Sequence, residues 1–260
     1  MIRSLWTAAS GMAAQKLNMD VIANNLANVN TSGFKKSRAD FEDLLYQELR
    51  APGATTASGG EIPTGIQVGM GTRPVSVQKM FSQGDYMQTK NNLDMAIEGK
   101  GFFKVLSSGQ EAYVRSGSFK VDSEGYICTG DGDRLQPEFA IPANSVNFTV
   151  DSGGNMVAMG ADGTEIASAQ LSLYSFSNPA GLLSKGGNLF QPSQASGDPV
   201  EGNPGVDGMG TVAQGYLEMS NVDVVEEMVN MISSQRAYEV SSKSIKAADD
   251  MLQMANNLRR

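Results

Sequence analysis

The side chains that usually carry chemistry are thinly represented. The 260 residues contain no His, and Cys128 is the single Cys. This excludes Ser-His-Asp and Cys-His nucleophilic sites, and every zinc site that draws on His or on several Cys. An internal disulfide is excluded as well. Cys128, in Gly125-Tyr126-Ile127-Cys128-Thr129, reads as a small hydrophobe on a strand. Gly99-Lys100-Gly101 has the spacing that begins a phosphate loop, but it lacks the third Gly. The Phe102-Phe103-Lys104-Val105 that follows reads as a strand, where such a loop needs a helix. Asp131-Gly132-Asp133 alternates carboxylates without the remaining ligands of a calcium loop, and reads as a solvated turn. No two carboxylates stand out as the acid/base couple of a glycosidase. The inventory predicts no catalytic residue, no metal and no cofactor.

With no site to position, the elements themselves become the subject. Leu5, Ala8, Met12, Gln15, Met19, Ile22, Leu26 and Val29 fall at alternating steps of three and four, and only Gln15 among them is polar. That 3.5-residue period is the seam of a coiled coil, in which each apolar side chain inserts between residues of a facing helix. A second long helical pattern begins after Ser220 or Asn221, either of which could cap it, with Asp223, Glu226 and Glu227 in its first turn, where the helix dipole favours negative charge. Val224, Met228, Met231, Tyr238, Ile245 and Leu252 lie along one face, and Val225, Val229, Ile232 and Val240 along a second. A helix apolar on two faces must meet more than one neighbour. The Met residues of both helices (Met12, Met19, Met228, Met231, Met251, Met254) suit adaptable packing better than metal ligation.

Between the helices the pattern changes. Phe34 to Arg50 reads as a short second helix or an extended arm. Ala51 to Arg73 is rich in Pro, Gly, Ala, Ser and Thr, and is unsuited to packing a core by itself. From Pro74 to about Gln214 short strands alternate with turns, among them Asp122-Ser123-Glu124-Gly125, Asp151-Ser152-Gly153-Gly154 and Asp162-Gly163. The expected fold class is α+β: long terminal helices forming a coiled-coil-like inner domain, with a central antiparallel β-rich outer domain. The expected divisions are a helix and arm over 1–45, a Gly/Pro-rich segment over 46–73, a β domain over 74–214 and a closing helix over 215–260. The formal net charge of −8 argues against nucleic acid as a partner. No run of about 18 apolar residues predicts a membrane span, and Gln15, Lys16, Asn18 and Asp20 interrupt any signal-peptide core.

Several stretches taken together are similar to a known family. Ala23-Asn24-Asn25-Leu26-Ala27-Asn28-Val29-Asn30-Thr31-Ser32-Gly33-Phe34-Lys35 resembles the signature of bacterial flagellar rod, hook and hook-associated proteins. Asp94 to Phe103 and Tyr113-Val114-Arg115-Ser116-Gly117-Ser118-Phe119 resemble its β-domain motifs. Ser220-Asn221-Val222-Asp223 and Met231 to Glu239 resemble its closing helix. The opening Met1-Ile2-Arg3-Ser4-Leu5-Trp6 and Phe41 to Gln47 are most similar to the distal-rod branch; proximal-rod and hook subunits are the alternatives, and a secreted β-domain binding module is the alternative of another class.

The resemblance implies a structural subunit, not an enzyme, that stacks with copies of itself into a hollow, rigid drive shaft. Leu5, Met12, Met19, Ile22, Leu26 and Val29 on the first helix, and Val225, Met228, Val229, Ile232, Tyr238, Ile245 and Leu252 on the last, are then the inter-subunit packing residues. Asn24, Asn25, Asn28, Gly33 and Phe34 are the family-motif positions. A segment from about Tyr46 to Gly65, with Pro52, Gly53, Pro63 and Gly65, corresponds to the one that stiffens the rod. Implied partners are proximal rod proteins, hook protein, the surrounding ring proteins and the flagellar export apparatus. The implied location is the basal body where it spans the periplasm, reached without a cleaved signal peptide.

Overall fold

The computed structural model describes residues 2–53, 63–206 and 208–257. It shows a mixed helix and strand protein: an N-terminal helix, a C-terminal helix and a β-rich body between them. Ile2–Ala27 (α1) and Val224–Asn257 (α2) are the long helices. α1 stops where the chain enters Asn28-Val29-Asn30-Thr31-Ser32-Gly33. There the Thr31 amide donates to the Asn28 carbonyl at 3.1 Å, and Gly33 adopts φ +69°, a left-handed position that side chains resist. A Cβ on Gly33 would also lie 2.5 Å from the Ser116 amide nitrogen. α2 contains neither Gly nor Pro and carries Glu226 and Glu227 in its first turn. It begins later than Ser220 or Asn221 would place it. The Asn221 side chain instead accepts from the Lys36 amide at 2.7 Å and donates to the Met80 carbonyl at 2.8 Å, so it pins two segments that adjoin strands.

The chain folds as two compact units, each discontinuous in sequence. The first takes the residues through 26, 37–78 and those from 224 onward. Besides the helices it holds the arm after Phe34, which is extended and not helical. Strand Ser37–Asp43 pairs with Thr72–Lys79, and Tyr46–Arg50 runs antiparallel to Ile66–Gly69. Strand periodicity accounts for this: Asp40 and Glu42, two apart, share a face and bond Ser76 and Arg73 on the neighbouring strand.

The second unit, residues 27–36 and 79–223, is the β body. Its largest sheet has the order Leu183–Gly186, Leu189–Gln191, Gln110–Val114, Phe103–Ser107, Arg134–Gln136, Ile127–Cys128, Lys120–Val121, and every pair in it is antiparallel. Alternation divides its side chains between two clusters. Phe103, Val105, Ala112, Val114 and Leu189 pack with Met95, Ile97 and Met156, while Tyr113 and Phe190 pack with Phe102, Tyr174 and Phe176. The aromatic rings of the second cluster meet edge to face, as with Tyr113 and Phe176 at 4.9 Å. The expected turns close hairpins: Gly125, Gly154 and Gly163 donate backwards to Asp122, Asp151 and Gly160. Cys128 is buried on its strand, and burial raises its thiol pKa.

Candidate functional site

Within the β body, three sequence-distant stretches meet at one carboxylate. Glu218 ends the strand Tyr216–Glu218, which pairs with Tyr86–Gln88. Its Oε1 accepts from Lys35 Nζ at 2.6 Å and from the Gly84 amide at 3.0 Å; its Oε2 accepts from Arg115 Nε at 2.5 Å. The Lys35 and Glu218 side chains are almost fully enclosed, and that of Arg115 nearly so. Arg115 Nη1 donates to the Gly101 carbonyl at 2.5 Å, and Nη2 to the carbonyls of Ile97 at 2.9 Å and Gly99 at 2.7 Å. Gly99-Lys100-Gly101 therefore turns its carbonyls inward onto a guanidinium, the reverse of a phosphate loop, which must present amides. Lys35 Nζ also donates to the Ser82 carbonyl at 2.7 Å, and the Glu218 carbonyl accepts from the Gly33 amide at 2.7 Å.

One carboxylate is shared by two cations, and the electrostatics follow from that excess. Burial by itself would raise the Glu218 carboxyl, but Arg115 and Lys35 overcome it and hold the group below the ordinary carboxylate value. For Lys35 burial wins: its ammonium is pulled below the ordinary lysine value, with Glu218 resisting and Arg115 adding to the pull. This cluster holds chain segments together. A neighbouring cavity of about 250 Å³ is lined by Phe81, Phe102 and Phe176 above the same two cations. Among the described residues no three His, Cys, Asp or Glu side chains stand close enough to hold a metal.

In the helical unit, the residues singled out from the sequence fall into two groups. Ile22 is buried, and Leu5, Met12, Met19 and Leu26 are half-buried on α1. On α2 the expected packing residues stand outward: Val225 is 71% exposed, Val229 60%, Met228 51% and Ile232 49%, with Tyr238 and Leu252 also exposed and Ile245 half-buried. Polar side chains bridge the two helices. Asn18 Nδ2 donates to Ser234 Oγ at 2.8 Å, and Asn25 Nδ2 to Glu227 Oε2 at 3.2 Å. Asn25 also brackets Ser37, accepting from its amide and donating to its carbonyl, both at 2.8 Å, and so fixes where the chain turns into the arm.

The other motif positions lie close by in sequence. Asn24 is exposed and Val29 half-buried. Asn28 accepts from Thr31 Oγ1 at 3.2 Å. Phe34 is buried, with Lys79 Nζ 5.0 Å from its ring centre. Pro52, Gly53 and Pro63 are exposed, and a Cβ on Gly65 would meet the Arg50 carbonyl at 2.6 Å and Pro52 Cδ at 2.8 Å. The rest of the Gly/Pro-rich segment, 54–62, lies outside the described residues. Sequence reasoning missed Lys35, Arg115, Glu218, Asn18, Ser234 and Glu227. The available signal was charge placed inside apolar or Gly-rich runs, as in Phe34-Lys35, Val114-Arg115-Ser116-Gly117 and Leu217-Glu218-Met219.

Family models match three stretches: residues 5–35 the flagella basal body rod protein, 96–158 the flagellar hook protein FlgE/F/G D1 domain, and 213–258 the flagellar basal body rod FlgEFG protein C-terminal. Each stretch contributes one member of the buried ion cluster. Whole-length relatives agree. The chain is 48% identical to the flagellar basal-body rod protein FlgG of Buchnera aphidicola subsp. Schizaphis graminum, over 99% of this chain and 100% of that protein. It is 47% identical to that of Borreliella burgdorferi and 37% to that of Bacillus subtilis, each over 100% of both chains. These relatives are structural rod proteins and not enzymes. Matched end to end and at each motif, the chain belongs to the FlgG family of flagellar basal-body rod proteins, the structural subunits of the distal rod.

Proposed function

We propose that this distal-rod subunit polymerises helically into a hollow, rigid shaft that carries torque from motor to hook and forms part of the export channel. The terminal helices make the inner tube by packing on those of neighbouring copies. The observation that carries this reading is the outward apolar face of α2, where Val225, Met228, Val229, Ile232 and Val240 are all about half exposed or more. Burying each such side chain is worth about 1.5–3 kcal/mol, before the costs of association are met. A contact between two different patches, with a rotation that does not close, propagates into an open filament.

The flanking devices fit the same role. The stretch from Tyr46 to Gly65 begins and ends in a paired hairpin, and we assign it to contacts that limit sliding between stacked subunits. Proximal rod, hook and ring proteins are the neighbours, and the subunit reaches the periplasm-spanning basal body through the flagellar export apparatus. No described helix is long and apolar enough to cross a membrane. Sedimentation of the purified chain at rising concentration tests the reading. A sharp critical concentration, above which polymer pellets and below which it does not, is expected; monomer at all concentrations would overturn it.

A further inference from the structure

The contacts between the terminal helices repeat with a fixed step. Gly11, Asn18 and Asn25 lie seven residues apart on α1, and Ser241, Ser234 and Glu227 lie seven apart on α2, descending as the first set ascends. The Gly11 Cβ position is 3.6 Å from Ser241 Oγ, and the other two pairs are hydrogen-bonded. Ala248, the next step along α2, is buried like Ser234 and Glu227. The helices therefore run antiparallel, with small or polar side chains meeting at every second turn. Between these layers sit apolar residues, Ala14 and Ile22 buried on α1, Met231 and Ile245 half-buried on α2.

We infer that Asn25 and Glu227 are positioning residues that set the register of α1 on α2, and so decide which residues of α2 face outward. Apolar layers alone cannot do this. An apolar seam repeats every seven residues, so by itself it tolerates a shift of seven residues. The Asn18 layer tolerates it too, because Ser241 would replace Ser234, but the Asn25–Glu227 layer does not. Asn25 is held in place by its two bonds to the Ser37 backbone, and it offers Glu227 a donor at one alignment only. Moving α2 so that Ala248 faces Gly11 leaves the enclosed Glu227 carboxylate without Asn25. An unmatched buried polar group is costly, and a charged one more so. A single buried Asn fixes alignment in helical coils by the same means. This goes beyond the assembly reading, because alignment within one chain is set whether or not copies associate.

Disulfide trapping in the soluble full-length chain, with Cys128→Ala throughout, tests it. Gly11→Cys with Ser241→Cys reports the observed register, and Gly11→Cys with Ala248→Cys reports a shift of seven. In the parent only the first pair should close. Glu227→Leu should lower the ratio of in-register to shifted product by about tenfold or more. The milder Glu227→Ala should lower it measurably without threatening helix content, which circular dichroism follows. Glu227→Gln keeps an acceptor for Asn25 and should keep the in-register product dominant. Closure of both pairs or of neither in the parent would overturn the inference. So would an unchanged ratio in both the Glu227→Leu and the Glu227→Ala variants, or a Glu227→Gln ratio as low as that of Glu227→Ala.

Discussion

Glu218 answers two buried cations with one carboxylate, so the stability of the β body hangs on its charge. Glu218→Gln keeps the shape and removes that charge, leaving Lys35 and Arg115 enclosed without a counter-ion. Breaking a buried pair from one side costs about 3–5 kcal/mol. Urea denaturation followed by near-ultraviolet circular dichroism should register that loss, since Tyr113 and Tyr174 sit in this core. A loss below about 1 kcal/mol would show that the cluster is dispensable. The same carboxylate sets an acid limit. Its folded-state pKa lies below the ordinary 4.5, so its contribution is complete above 4.5 and disappears as pH falls through the folded value. Stability of the parent should decline over that window, and Glu218→Gln should flatten the decline. None of this was legible in hydropathy. The placement of Lys35, Arg115 and Glu218 in apolar or Gly-rich runs is the one local signal, and it does not name the partners 80 or more positions away that enclose each charge.

Helices α1 and α2 were legible because their signal is local: a sustained 3.5-residue period, no Pro, and acidic residues where α2 starts. The contact line between them was not. The apolar stripe Leu5, Met12, Met19, Leu26 runs one residue beyond Gly11, Asn18, Asn25, the positions that meet or bond α2. Periodicity marks which side chains want cover without naming what covers them. The arm after Phe34 was open between helix and strand for a related reason. Phe41, Leu44, Leu45 and Leu49 fall at a helical spacing, and the bonding of Asp40 and Glu42 to a strand more than 30 residues away overrode it. The covering of these faces can be tested. Leu26→Asp and Ile232→Asp each place a charge on an apolar face, at a cost of several kcal/mol if that face is buried between copies. Each should abolish pelleting at concentrations where the parent assembles, while the denaturation midpoint of the β body stays unchanged. Assembly of either variant at parental concentration would mean that these faces are not the contacts.

At the scale of the whole molecule, family membership was readable because four motifs occur in one order along the full chain, a pattern that no single structural period supplies. What the subunit does in bulk depends on contacts that a single chain does not contain. The stiffness of the shaft is assigned to the stretch from Tyr46 to Gly65. A packed segment between stacked subunits resists both the approach and the separation that bending requires, since dense interfaces compress little. Deleting residues 54–60, or widening the hairpin with Gly65→Val against the Arg50 carbonyl and Pro52, should give curved rods without preventing export. Rods of such variants that remain uniformly straight in electron micrographs would reduce the segment to a linker. Beneath all of this lies the claim that the chain alone builds a straight hollow filament. Negative-stain electron microscopy of the purified protein at high concentration tests it directly. The account predicts straight tubes with a stain-filled lumen; closed rings, flat sheets or dispersed monomers at every concentration would contradict it.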